Sequence, residues 1–211
     1  MLELFFTVLA SLFSVVNPLG AVPVFLAMTP TYTQHERAKT ARNTSIYFIL
    51  ILLVFFLAGT LILGFFGISL SAMRIAGGIV IFLSGYNLLS GKMAEGRAVD
   101  KKVKHEALEK DDISFSPMAM PLLSGPGSIS LLISLYAIHE DWSERGVIIG
   151  VIFVLGGIIF LILRSAPYLF RLMGEAGLKA LSRIMGFIVM AIGIQYVIVG
   201  IYNLLQTVEK N

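Results

Sequence analysis

Cysteine is absent from this 211-residue chain. That removes disulfides, thiolate metal sites, iron–sulfur clusters and cysteine nucleophiles from its chemistry, but it identifies no compartment. Charge is scarce too. Only 14% of the residues are Asp, Glu, Lys or Arg, against about a quarter in an ordinary soluble domain. The formal net charge is +3 and the pI near 9.2. The basic residues lie between apolar runs and form no continuous stripe, so a nucleic-acid partner is not expected. The histidines, His35, His105 and His139, are all expected in loops, where they build no metal site inside a span. The apolar runs hold no Asp, Glu, Lys or His. An intramembrane enzyme needs such a group at depth, so neither catalysis nor a cofactor is expected. Proton-driven carriers commonly use an intramembrane Asp, Glu or His as well. Exchange, facilitated flow and sodium held by backbone carbonyls stay open, and the coupling ion is unknown.

What the chain has instead is apolar length. Hydrophobic residues make up 57% of it, and the mean hydropathy is +0.88. A membrane helix needs roughly 20 apolar residues, within about 17–25. Six runs qualify, so the expected fold is all-α and polytopic: Leu4 to Met28, Asn43 to Phe66, Ala72 to Ser90, Phe115 to Ile138, Gly146 to Leu163 and Ile184 to Leu205. Thr29 to Arg42 reads as a polar loop and Arg164 to Ser182 as an interfacial segment. The first run lacks a basic n-region and exceeds the about 7–15 residues of a signal-peptide core, so it is expected to be retained. Residues 92–114 carry six basic and six acidic side chains and read as a solvated linker. They separate a first three-helix repeat, 1–91, from a second, 115–211, in one membrane domain.

Two of the runs are interrupted. Asn17-Pro18-Leu19-Gly20 breaks the first, and Ser124-Gly125-Pro126-Gly127-Ser128 breaks the fourth. Proline removes an amide donor and clashes with the preceding turn. Glycine permits close approach of other groups. Each break frees backbone N–H and C=O groups, which cost several kcal/mol apiece if left unpaired in hydrocarbon. Asn17 adds an amide, and Ser14, Ser124 and Ser128 add hydroxyls. A half-helix N-terminus favours an anion and a half-helix C-terminus a cation. Dipoles of both signs without formal charge suit a small zwitterion such as glycine or alanine. The candidate substrate residues are therefore Ser14, Asn17, Pro18, Leu19, Gly20, Pro121, Ser124, Gly125, Pro126, Gly127 and Ser128, with Asn87 of the third span. Ordinary kinks at Pro18, Pro23 and Pro126 are the plainer alternative. For Asn87 the plainer one is an interhelical hydrogen bond.

The breaks sit in matching registers. Pro18 and Pro126 are 108 residues apart. Arg74-Ile75-Ala76-Gly77-Gly78 opens the third span, and Arg183-Ile184-Met185-Gly186-Phe187 opens the sixth, 109 residues on. Two similar halves of three spans each must insert in opposite directions. Paired Gly/Pro-interrupted spans are the sequence mark of inverted-repeat transporters with a midplane site. Arg74 and Arg183 are expected to snorkel to opposite interfaces. Gly77, Gly78, Gly85, Gly186 and Gly193 read as packing faces, and Tyr136 and Trp142 as interface anchors. Three of the 16 Lys and Arg residues fall on the side of the termini and thirteen on the other. By the positive-inside rule both termini lie outside and the linker in the cytoplasm.

These motifs, Asn17-Pro18-Leu19-Gly20, Pro121 to Ser128 and Arg74 to Gly78, resemble the MarC family over nearly the whole chain. The resemblance implies a six-span protein of a prokaryotic cytoplasmic membrane and transport of small neutral amino acids. Its rivals are export of another small solute or drug, and a non-transporting membrane assembly. The sequence leaves oligomeric state and transport direction open.

Overall fold

The structure, a computed structural model, describes residues 1–90 and 112–209. Most of the expected linker, 91–111, lies outside the described residues. The described residues contain helices and no strands. They are α1 (Leu2–Val16), α2 (Pro18–Met28), α3 (Gln34–Phe65), α4 (Leu70–Leu89), an irregular segment Ser114–Leu123, α5 (Pro126–Ile138), α6 (Trp142–Arg164) and α7 (Ala166–Glu209). Five stretches are long and apolar enough to cross a membrane: Leu2–Met28, Gln34–Phe65, Leu70–Leu89, Trp142–Arg164 and Ala166–Gln206. The irregular segment and α5, bent by 66° at their junction, make a sixth if counted as one broken span. The described residues thus form an all-helical membrane protein with five to six spans.

Helix ends follow local chemistry more than hydropathy. The expected polar loop from Thr29 to Arg42 is largely helix, because α3 begins at Gln34. Thr33 and Glu36 close a capping box there: the Glu36 N–H donates to the Thr33 hydroxyl, and the Thr33 N–H donates to the Glu36 carboxylate at 2.7 Å. This satisfies two of the free amides that every helix start carries. His35 therefore sits in a first helical turn, not a loop. Arg37 reaches back and donates from Nη2 to the Thr29 carbonyl at 2.7 Å, placing a cation at the negative end of α2. Near the C-terminus, the expected boundary between Ser182 and Ile184 does not exist. The chain breaks earlier, at Gly174 (φ 64°), a left-handed conformation that glycine adopts at low cost. Helix then continues from 175 to 209.

The core lies among α1, α2, α3, α5 and α6, where Leu12, Phe25, Phe48, Phe56, Leu132 and Ile152 are fully covered. The most extensive helix pair is α4 with α7. It is antiparallel and built on glycine. A Cβ on Gly78 would lie 2.7 Å from the Gly193 carbonyl oxygen, and one on Gly85 would lie 2.7 Å from that of Gly186. Backbones approach this closely only where side chains are missing, as membrane helix interfaces favour. At the α5–α6 junction the Arg145 guanidinium lies 3.8 Å from the Tyr136 ring centroid and 5.2 Å from that of Trp142.

Candidate functional site

The first break turns on one residue. Asn17 has φ 47° and ψ 63°, the one positive φ outside glycine among the described residues. Asparagine is among the few side chains that tolerate this region. It ends α1 and caps α2: its Oδ1 accepts from the Gly20 N–H at 3.3 Å. Pro18 takes the first position of α2, where its missing amide is harmless. Asn17 is 2% exposed, and its Nδ2 has no hydrogen-bond partner. That amide lies against Gly20, where a Cβ would overlap it and would lie 3.1 Å from the Ser182 hydroxyl of α7. Ser14 is buried one turn earlier, and its hydroxyl is spent on the Ala10 carbonyl at 2.8 Å.

The second break is less regular. In Ser114–Leu123 the backbone leaves helical conformation at Ser116 and Met120, and the peptide bonds before Pro117 and Pro121 are cis. Wide turns replace helical ones: the Met118 N–H donates to the Ile113 carbonyl, and the Ser124 N–H to the Ala119 carbonyl at 2.8 Å. Gly125 then caps α5 without any side-chain hydrogen bond, and Pro126 follows at the first helical position. Ser128 does not cap the helix, because its hydroxyl donates to the Gly125 carbonyl at 2.9 Å. The start of α5 thus keeps amides free of side-chain acceptors, with the positive end of the helix dipole behind them. The Ser124 hydroxyl beside it is 1% exposed and has no partner.

The two breaks meet. A Cβ on Gly127 would lie 3.2 Å from Val15, two residues before Asn17, and 3.0 Å from Ile81 of α4. Val15, Ser84, Leu123 and the Gly125–Ser128 turn line one small open cleft.

The candidate residues divide on this geometry. Gly125, Pro126, Gly127 and Ser128 line the cleft; Ser124, between two lining residues, and Asn17, two residues from Val15, are buried with orphan polar atoms and do not line it. Pro18 is buried at the start of α2, and Leu19 and Gly20 are half-buried. Pro121 is exposed, and so is Asn87, which does not line the cleft. Val15, Ser84 and Ser182 were not foreseen. Ser84 adjoins the glycine face of α4, which is a signal of sorts; Ser182 carried none. Arg74 is more covered than an arginine at a span edge is expected to be. It is 5% exposed, its stem covered by protein where Gly200 of α7 leaves room against its Cβ. Arg183 is exposed.

Comparison with known proteins agrees with the fold. Residues 2–205 match the family described as MarC family integral membrane protein. The chain is 40% identical over 200 residues to a UPF0056 membrane protein of Methanocaldococcus jannaschii, covering 95% of this chain and 97% of that one. It is 36% identical over 188 residues to the UPF0056 membrane protein YvbG of Bacillus subtilis, covering 89% of each. It is 33% identical over 219 residues to the UPF0056 inner membrane protein MarC of Escherichia coli, covering 98% and 99%. No solved structure matches the chain.

Proposed function

The chain belongs to the MarC family of integral membrane proteins, and on that premise we propose that it is a secondary transporter of small neutral amino acids. Glycine and alanine are its solutes, and it works by alternating access across the cytoplasmic membrane. The observation that carries this reading is the meeting of two broken spans at one small cleft, each break holding a buried polar atom without a partner. Such groups are costly in a bilayer unless something meets them. A zwitterion suits the broken helix ends beside them: its carboxylate takes the uncapped amides at the start of α5, and its ammonium takes carbonyls at the end of α1.

Inverted halves are part of the proposal. They are supported by packing that repeats: α2 lies on α7, as α5 lies on α4, and α4 and α7 run antiparallel to each other. Discontinuous helices at matching positions in two inverted halves are how such carriers build a midplane site. With both termini outside, the 66–69 turn and the α5–α6 junction are extracytoplasmic.

Uptake of labelled glycine and alanine by reconstituted liposomes, with Asn17→Ala as control, tests the reading. Flux above empty liposomes, saturable and lost in the control, is expected. No flux would favour a non-transporting assembly. Preference for lysine or glutamate would overturn the zwitterion argument.

A further inference from the structure

Arg74 is the one arginine of the described spans that protein covers almost completely, at 5% exposure. It lies fifth in α4, against Gly200 of α7, and interacts electrostatically with the half-buried Tyr196. Among the described residues it makes no ion pair and no hydrogen bond. Tyrosine at neutral pH carries no charge to balance it. A guanidinium stays charged, and a buried charge without a counter-charge is strongly unfavourable. Inside a membrane protein such a group marks a solute pathway unless it has a fixed partner.

The surroundings connect it to the breaks. Helix α5 runs antiparallel along α4: Gly127 lies against Ile81, and Ser130 lies against Gly77, its hydroxyl donating to the Met73 carbonyl at 3.4 Å. Ser134 follows one turn further on the same face. It is fully buried, and its hydroxyl has no partner. From Ile81 to Arg74 the helix rises about 10 Å. Ser130 and Ser134 thus lie on the face of α5 that packs along α4, between the cleft and the end of α4 that carries Arg74, near the 66–69 turn.

We propose that Arg74 is a second binding station, which receives the carboxylate of the solute between that end of the molecule and the cleft. Its planar fork matches a carboxylate in two parallel hydrogen bonds, and an ammonium or amide cannot replace that partner. The station rests on the transport reading and adds a substrate requirement: the solute must carry a free carboxylate, which the helix dipoles alone do not demand.

Two measurements test it. In detergent, the unfolding temperature of the wild-type chain is followed with glycine, acetate, glycinamide, chloride and phosphate at equal ionic strength. Glycine and acetate raise it, and the other three do not. Equal shifts with chloride or phosphate would make this an inorganic-anion site and overturn the proposal, as would a shift with glycinamide and none with acetate. In liposomes, Arg74→Gln lowers glycine uptake roughly 30-fold or more, and Arg74→Lys restores part of it. Wild-type uptake by a folded Arg74→Gln protein would overturn the station and leave the transporter standing. Absence of wild-type flux would instead remove the transport reading. If Arg74→Gln does not fold, the anion series on the wild type decides.

Discussion

At the residue scale, Asn17 performs two tasks that substitution separates. Its backbone holds a left-handed turn, and its oxygen accepts from the Gly20 N–H, while its Nδ2 is left over. Asn17→Gly keeps the turn and loses the amide, and as a cap replacement it costs only a few tenths of a kcal/mol. Asn17→Ala loses the amide and adds left-handed strain of about 1–2 kcal/mol. The two variants should therefore differ in unfolding temperature, with the alanine variant lower, and share the same loss of glycine uptake. Wild-type uptake by Asn17→Gly would show that the amide meets no solute. The sequence marked Asn17 as the place where the helix breaks, because a polar amide beside proline in an apolar run has few explanations. It did not show that Ser14 is already satisfied by Ala10, since a serine that donates back into its own helix looks the same in sequence as one that faces a solute.

At the element scale, the glycines of α4 and α7 set how closely the two helices approach. An added Cβ at Gly78 or Gly193 meets backbone atoms at 2.5–2.9 Å, not only flexible side-chain ends. Gly78→Ala and Gly193→Ala should each destabilise by about 1–3 kcal/mol, the range for overpacking, read as a lowered unfolding temperature. Gly64→Ala and Gly157→Ala meet nothing within 4 Å and lie inside helices. They should raise stability, by up to about 1 kcal/mol each, through helix propensity. Helix limits were less legible than helix existence. The capping box at Thr33 was present in the sequence, but the charged residues after it concealed a helical start ahead of the apolar run. The bend of 66° before α5 was signalled by Pro121 and Pro126, while the wide-turn path of Ser114–Leu123 depends on packing against α3 and α2.

At the scale of the whole molecule, the absence of cysteine makes topology directly measurable. Single cysteines at Ile68 in the α3–α4 turn and at Glu140 in the α5–α6 junction should react with a membrane-impermeant thiol reagent in intact cells. A cysteine at His35 should react only after the membrane is opened; all three positions are exposed in the fold. The opposite pattern would reverse the proposed orientation. The sequence by itself determined membrane residence, the number of apolar runs and the two places where helices must break. These follow from local properties: transfer of apolar length into lipid and the missing amide of proline. Only the tertiary structure decided which groups share a space. It set Val15 against Gly127 and Ser182 beside Gly20, turned Asn87 outward and buried Arg74. Those outcomes depend on the rotation of each helix about its axis and on how closely its neighbours approach. That is set by contacts between residues far apart in the chain, and no local pattern encodes it.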